Sequence, residues 1–188
     1  LLETGSGLTV SGYNMTTGIR THLDALDPAL IAGLERPLTA VVHTAGVSAA
    51  TSTIEKIMAV DLAGTAHVID AFQQVAGPGT SLVCVSSMAG HYASLTPEQE
   101  RALAAAPTAE LLSLDVVTGM TGDATAAYIL AKRANQVRVQ AAAPAWNRLG
   151  ARINTVSPGV ISTAMSKAEA ASSSGGHMMA MLEACGIG

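Results

Sequence analysis

The sequence predicts an α/β fold, in which helices pack on both faces of a doubly wound parallel sheet to give three layers. Three apolar runs of strand length alternate with longer segments of helical periodicity: Leu38–Thr44, Ser81–Ser87 and Arg152–Ser157. The first two runs are continuously apolar, which is typical of strands buried on both faces of a parallel sheet. The 188 residues are 49% hydrophobic and 13% charged, so a single domain with a sizeable core is expected.

The segments between these strands predict further elements. The opening residues Leu1–Glu3 read as the last turn of a helix, and Thr4–Gly7 as the turn that follows it. In chain order, we then predict short strands at Leu8–Asn14 and Thr21–Asp24, a short helix at Pro28–Leu34 capped by Asp27, and a long helix at Thr53–Val75 that ends before Gly77.

The second half of the chain contains a polar and Ala-rich stretch, 91–123, before a helix that includes residues 125–139. Thr96 and Pro97 form a helix-start signal, so one or two short helices are expected within 95–114, packed outside the sheet near the start of the next helix. Pro144 has no N–H to donate, so we expect the long helix to kink or end near Ala141.

Ligands of parallel α/β sheets bind beyond the carboxyl ends of the strands. This rule places Thr44–Gly46, Ser86–Ser87 and Pro158–Gly159 along one rim, facing the helix of residues 125–139. Each segment also has a purely structural interpretation: a strand-to-helix turn, a helix cap and a strand terminator, respectively.

Tyr128 and Lys132 lie four residues apart in the predicted helix, and therefore on the same face of it. A phenol is a poor general base near neutral pH, since its ordinary pKa is about 10. A neighbouring ammonium group favours the phenolate and lowers that pKa towards the range where acid–base catalysis is efficient. The spacing alone also occurs by chance in long helices.

Taken in order, these motifs resemble those of the short-chain dehydrogenase/reductase family. The matches are HTAG at 43–46 for the family's N-N-A-G, Ser87 at a strand end, Tyr128-x-x-x-Lys132, and Asn154 through Pro158-Gly159 to Thr163. The resemblance implies a Rossmann-like fold, NAD or NADP as cofactor, and hydride transfer between the nicotinamide and a secondary alcohol or ketone. It is nearest to the bacterial hydroxysteroid dehydrogenase/carbonyl reductase subgroup, which has a helical insertion before the Tyr-x-x-x-Lys helix.

The resemblance also implies roles for individual residues. Tyr128 would be the acid/base, Ser87 would hold the substrate oxygen, and Lys132 would lower the Tyr128 pKa and contact the nicotinamide ribose. Asp61 occupies the place of a helix Asn whose backbone helps to hold a water in the family's proton relay. The implied cofactor contacts are Asn14, Asp24, Ala45, Gly46, Tyr128, Lys132, Pro158, Gly159, Ile161 and Thr163. Asn14 does not discriminate NAD from NADP.

The sequence departs from the family at both ends. The family's first strand and its T-G-x-x-x-G-x-G phosphate loop are expected before Leu8, and a last helix and strand after Gly188. We therefore expect 1–188 to be a single, partial Rossmann domain whose sheet lacks the first and C-terminal strands. The resemblance further implies a helical insertion at about 91–123, which covers a subunit face or walls the substrate cleft, and a substrate lid at about 164–188.

Composition restricts the partners. A net charge of −4 and a pI near 5.7 argue against nucleic acid, and no apolar run approaches the ~18 residues of a membrane span. No signal peptide opens the chain, and Cys84 and Cys185 read as free thiols, so a cytoplasmic protein with a small-molecule substrate and no metal is expected. The family implies a homodimer or homotetramer. A lyase or epimerase on the same fold, or a catalytically silent nucleotide-binding protein, are the alternative functions.

Overall fold

A computed structural model of the chain describes residues 2–4, 7–9, 38–161, 170–171 and 175–176. Its central strands are β3 (Leu38–His43), β4 (Ser81–Val85) and β5 (Arg152–Val156). These three strands are parallel neighbours in the order β3-β4-β5, as the sequence predicted. The predicted elements at Thr21–Asp24 and Pro28–Leu34, and the lid at 164–188 apart from four of its residues, lie outside the described residues.

The beginning of the chain differs from the prediction. Leu2–Thr4 forms strand β1 and Gly7–Thr9 forms strand β2, and the two pair antiparallel. Strand β1 also pairs antiparallel with β3, so the sheet is mixed, in the order β2-β1-β3-β4-β5. The prediction of a helix end at Leu1–Glu3 is therefore wrong. The edge of β3 offers unpaired N–H and C=O groups, and pairing with them satisfies the backbone of this short segment better than an isolated helical turn would.

The predicted helix at Thr53–Val75 is present as one continuous run in three parts. It begins with α1 (Ile54–Ile57), continues through a π-helical segment (Met58–Gly64) and ends with α2 (Thr65–Gln73). The Thr53 hydroxyl caps its start by accepting a hydrogen bond from the Lys56 N–H. The π-helical segment was not predicted, and it contains Asp61.

Helical structure also fills most of the stretch between β4 and the second long helix. Its elements are a 3₁₀ helix at Met88–Tyr92, α3 at Pro97–Ala105, a second 3₁₀ helix at Thr108–Ser113 and α4 at Asp115–Thr118. A reciprocal pair of hydrogen bonds between Thr96 and Gln99 caps α3, as the helix-start signal predicted. Residues 95–114 are thus mainly helical, whereas their status as an insertion relative to the family stays a prediction.

The second long helix, α5, runs from Ala124 to Arg148 with Asp123 as its N-cap. Pro144 lies inside it, so the helix does not end near Ala141 and that part of the prediction is wrong, whereas the alternative of a kink there stays a prediction. Packing explains the difference, since the fully buried Trp146 and the half-buried Ala142 and Ala143 anchor the last turns of α5 to the core. Pro144 itself is exposed.

The core has two clusters. The first joins one face of the sheet (Val41, Leu82, Ile153) to α2 and to the C-terminal half of α5. The second lies between helices and joins Ile57 and Leu62 to α5, α3 and the second 3₁₀ helix. On the opposite face of the sheet, Val42 and Val156 are exposed, so the third layer predicted from sequence is not tested by the described residues.

Candidate active site

The parallel register brings the predicted rim together. The Ser86 N–H donates to the Val156 carbonyl over 2.8 Å, and the Met88 N–H donates to the Pro158 carbonyl over 2.9 Å. The segments that follow β4 and β5 therefore run side by side at the carboxyl edge of the sheet, where ligands of such folds bind.

Helix α5 is attached to this rim at the turn that contains Lys132. The Ser86 hydroxyl donates to the Lys132 carbonyl over 2.9 Å, and the Gln136 side-chain amide donates to the Ser87 carbonyl over 3.1 Å. The same amide also lies 3.2 Å from the Ser157 hydroxyl. These bonds fix the position of Lys132 along α5 relative to the ends of β4 and β5.

The predicted Tyr128–Lys132 pair is present on one face of α5. The Lys132 ammonium lies 5.2 Å from the centroid of the Tyr128 ring. Lys132 is only 5% exposed, whereas Tyr128 is half-buried. An ammonium group removed from water needs compensating charge or hydrogen bonds.

Asp61 supplies that charge. Its Oδ1 atom lies 3.7 Å from the Lys132 Nζ, an ion-pair distance, and accepts a hydrogen bond of 3.0 Å from the Val47 N–H. Burial raises the pKa of this fully buried carboxyl, while Lys132 and the Val47 N–H act in the opposite direction. Gly46 lies against the pair, because a Cβ at this position would stand 2.8 Å from the Asp61 Oδ1 and 3.2 Å from the Lys132 Nζ.

The backbone carbonyl of Asp61 has two side-chain donors. The Thr65 hydroxyl donates to it over 2.8 Å and the Asn135 amide over 2.9 Å. Because the Thr65 proton is used in this way, its oxygen is left to accept from the His43 Nε2, 3.0 Å away. Sequence reasoning missed Thr65 and Asn135. Buried polar residues within apolar helix faces were the available signal, since such groups require partners.

Ser87 lies at the end of β4, as predicted, and its hydroxyl accepts a 3.1 Å hydrogen bond from the Ala89 N–H. The structural interpretation of this residue, a cap for the following 3₁₀ helix, therefore holds. It does not conflict with the functional interpretation, because a hydroxyl that accepts one bond retains a proton to donate.

Of the predicted cofactor contacts, Ala45 and Gly46 follow β3, while Pro158, Gly159 and Ile161 follow β5 at the same edge. Ile161 is 60% exposed and Val160 is also exposed. Asn14, Asp24 and Thr163 lie outside the described residues, so their roles stay predictions.

A cavity of about 430 Å³ lies beside α5, but its lining includes neither Ser87, Tyr128 nor Lys132. It is bordered by residues after the first 3₁₀ helix, by α3 and α4, and by Ala126, Ile129 and Leu130 of α5. The stretch 91–123 thus borders an open cavity together with the α5 residues on either side of Tyr128. Within the described ranges, no helix is both long and apolar enough to cross a membrane, and no group of three or more His, Cys, Asp or Glu side chains is placed to hold a metal.

Comparisons with known proteins agree with the fold. No family model matches the chain. A curated relative, "Short-chain dehydrogenase/reductase bsc3" of Alternaria brassicicola, is 41% identical over 135 residues, which cover 71% of this chain and 49% of the relative. The chain thus spans about half the length of the curated relative that it matches.

A solved structure with the same fold is the 3-alpha-hydroxysteroid dehydrogenase from Pseudomonas sp. B-0831 complexed with NADH. It superposes with a TM-score of 0.62 at 22% identity, over 81% of this chain and 58% of that protein. The likeness confirms the predicted Rossmann-like α/β fold. Over 71% of its length, this chain is also similar in sequence to a short-chain dehydrogenase/reductase.

Proposed function

We propose that the full-length protein is an NAD(P)-dependent oxidoreductase, which transfers a hydride between the nicotinamide and a secondary alcohol or ketone of the hydroxysteroid or carbonyl type. One observation carries this proposal. The Lys132 ammonium lies 5.2 Å from the Tyr128 ring, at the carboxyl ends of the parallel strands β3, β4 and β5. Its support is the 41% identity to a short-chain dehydrogenase/reductase over 135 residues, from which we infer that this chain belongs to the same family, and the NADH named for the solved structure of the same fold.

In this proposal, Tyr128 moves the proton. During reduction its hydroxyl donates a proton to the carbonyl oxygen, and during oxidation its phenolate accepts one from the alcohol. Lys132 favours the phenolate through its positive charge, and the Ser87 hydroxyl donates a hydrogen bond to the same substrate oxygen. These residues handle the proton and the oxygen, and a bound nicotinamide supplies or accepts the hydride.

The residues present fit such a cofactor chemically. The Lys132 ammonium and the Tyr128 hydroxyl are suitable donors for ribose hydroxyls. The exposed apolar side chains of Val160 and Ile161, next to Pro158 and Gly159, suit the face of a flat ring. Ala45 and Gly46 would contribute backbone with little side-chain bulk.

The predicted homodimer or homotetramer and the cytoplasmic location also remain proposals. The free thiol of buried Cys84 is compatible with a reducing compartment. Leu103 and Leu111 are fully buried against a helical cluster that includes Ile57 and Ala131. The segment 97–113 therefore covers this face of α5, and we propose that association uses another surface.

The test is Tyr128→Phe in the full-length protein. We expect kcat to fall by at least about a hundredfold, because general acid–base catalysis is typically worth 10²–10⁴-fold. Nicotinamide binding, followed by its fluorescence, should remain nearly unchanged, because Lys132 still donates to the ribose when the Tyr128 hydroxyl is removed.

Tyr92→Phe is the matched control, since it removes a phenol hydroxyl from an exposed side chain outside the Tyr128–Lys132 pair. It should leave kcat unchanged. A Tyr128→Phe enzyme that retains most of its turnover would contradict the proposed function, and so would a wild-type protein that binds nicotinamide but turns over no alcohol or ketone.

A further inference from the structure

The carboxylate of Asp61 is the least expected group of the site. It is fully buried, and its Oδ2 atom has no hydrogen-bond partner among the described residues. The groups that face it are the Lys132 ammonium from α5 and the Val47 N–H from the loop after β3. His43 is the other titratable group nearby, and it reaches the Asp61 backbone through Thr65. A carboxylate in this environment is costly to keep unless it serves a cation.

The backbone carbonyl of Asp61 already accepts hydrogen bonds from two side chains. A carbonyl oxygen has two lone pairs, and the Thr65 hydroxyl and the Asn135 amide both donate to this one. The role implied by the family, in which the backbone at this position helps to hold a water, stays a prediction. The side-chain carboxylate is a second part of Asp61 that can act on the site.

The π-helical segment directs this carboxylate towards Lys132. Asp61 lies in the middle of Met58–Gly64, where the wider turn changes the direction of each side chain relative to an α-helix. The bonds from Thr65 and Asn135 hold the Asp61 backbone in place, and the close approach of Gly46 closes the space beside the ion pair. The carboxylate and the ammonium are thus held by the π-helical segment, by α5 and by the loop after β3.

We propose that Asp61 is a positioning residue that acts through its carboxylate, holding the Lys132 ammonium beside Tyr128 and offsetting its charge. This inference rests on the proposed oxidoreductase function. It has a consequence for pH, because protonation of the carboxyl would release Lys132. Since burial raises the Asp61 pKa, this release begins at a higher pH than it would for an exposed aspartate.

The activity test compares wild type with Asp61→Asn, which has nearly the same shape but cannot carry a charge. At neutral pH we expect kcat to fall about tenfold to a hundredfold, as is typical when a catalytic group is misplaced by about 1 Å. The ratio of the two kcat values should approach one as the pH falls, because protonated Asp61 and Asn are both neutral. A ratio that is the same at every pH would overturn the proposal.

A second test uses stability and needs no activity. Asp61→Asn leaves Lys132 buried without its partner, and Lys132→Met leaves Asp61 in the same condition, so each single variant should lower Tm. The double variant contains neither uncompensated charge, so its loss should be smaller than the sum of the two. Glu55→Gln, an exposed acid on the same continuous helix, is the matched control and should be additive with Lys132→Met.

Additive losses of Tm for the Asp61 and Lys132 variants would overturn the proposal. If Asp61→Asn does not fold, a double variant that also does not fold would overturn it as well. Different results would contradict the proposed oxidoreductase function and the proposed role of Asp61. A Tyr128→Phe enzyme with full turnover removes the proposed function, whereas the coupling between Asp61 and Lys132 is read from Tm in the same protein.

Discussion

Lys132 connects the parts of the candidate site through two different groups. Its carbonyl accepts the Ser86 hydroxyl, which attaches α5 to the end of β4, while its ammonium faces both Asp61 and the Tyr128 ring. A movement of this residue would therefore disturb the strand end and the catalytic pair together. The one-turn spacing to Tyr128 was visible in the sequence.

Arg138 has a comparable position on the outer side of α5. Its guanidinium donates to the Leu103 and Ala106 carbonyls at the end of α3, over 3.0 Å and 2.9 Å, and lies 3.2 Å from the Thr108 hydroxyl. Burial lowers the Arg138 pKa, and the charge of Asp70 opposes this effect. The guanidinium thus satisfies carbonyls that the end of α3 leaves without helical partners.

Arg138→Met should reduce the free energy of unfolding by about 2–4 kcal/mol, because it removes charged hydrogen bonds and leaves buried carbonyls unpaired. Chemical denaturation of the full-length protein measures this change. Arg101→Met is the control, since Arg101 pairs with Glu98 where both side chains are 72% exposed, and it should have little effect. If Arg138→Met changes the free energy of unfolding as little as Arg101→Met does, the Arg138 contacts do not stabilise the protein.

At the scale of elements, two proline residues of the described helices differ in position, one in a first turn and one in a helix interior. Pro97 stands in the first turn of α3, where a missing N–H costs nothing. Pro144 lies inside α5, where it cannot donate to the Gln140 carbonyl. Helix α5 continues because Trp146 is buried beyond it.

Pro144→Ala should therefore stabilise the protein, by up to about 3 kcal/mol, since it restores the hydrogen bond and removes the clash of the ring. Pro97→Ala should be neutral or slightly destabilising. Thermal unfolding of both variants provides the comparison. An unchanged or lower Tm for Pro144→Ala would mean that the ring of Pro144 contributes contacts of its own.

The elements also show what sequence alone can and cannot provide. Apolar runs and cap signals predicted β3, β4, β5, α3 and the start of the long helix at Thr53, because these features depend on local composition. The strand at Leu2–Thr4 depends on pairing with β3, and the length of α5 depends on burial of Trp146. The rim positions and the Tyr128–Lys132 pair followed from spacing, whereas the side-chain ion pair of Asp61 required the π-helical segment, for which the sequence has no recognised signal.

At the scale of the whole molecule, the described helices build two successive layers on one face of the sheet. Helices α2 and α5 pack on the strands, and α3 with the second 3₁₀ helix packs on the outside of α5. Leu103 and Leu111 are the fully buried contacts of this outer layer. Without it, the apolar surface of Ile57, Leu62 and Ala131 would meet water.

Leu103→Asp should detach the outer layer, because a carboxylate cannot be buried in this cluster without a partner. We expect increased binding of a hydrophobic dye and concentration-dependent association in light scattering. Leu112→Asp is the matched control in the same segment, since Leu112 is already 42% exposed. If both variants behave like wild type, the segment 97–113 does not protect this surface.

The π-helical segment within the run 54–73 also constrains which changes in chain length the protein can accept. A π-turn contains one residue more than an α-helical turn, and each residue turns an α-helix by about 100°. Deleting one residue from Met58–Gly64 would convert the π-turn into an α-helical turn, so α2 would keep its orientation relative to α1, and Val68 and Phe72 would stay on the sheet. The side chains within the turn would be redirected, and Asp61 would leave Lys132. Relatives that lack this residue are therefore expected to keep the packing of α2 and to place their lysine by other means.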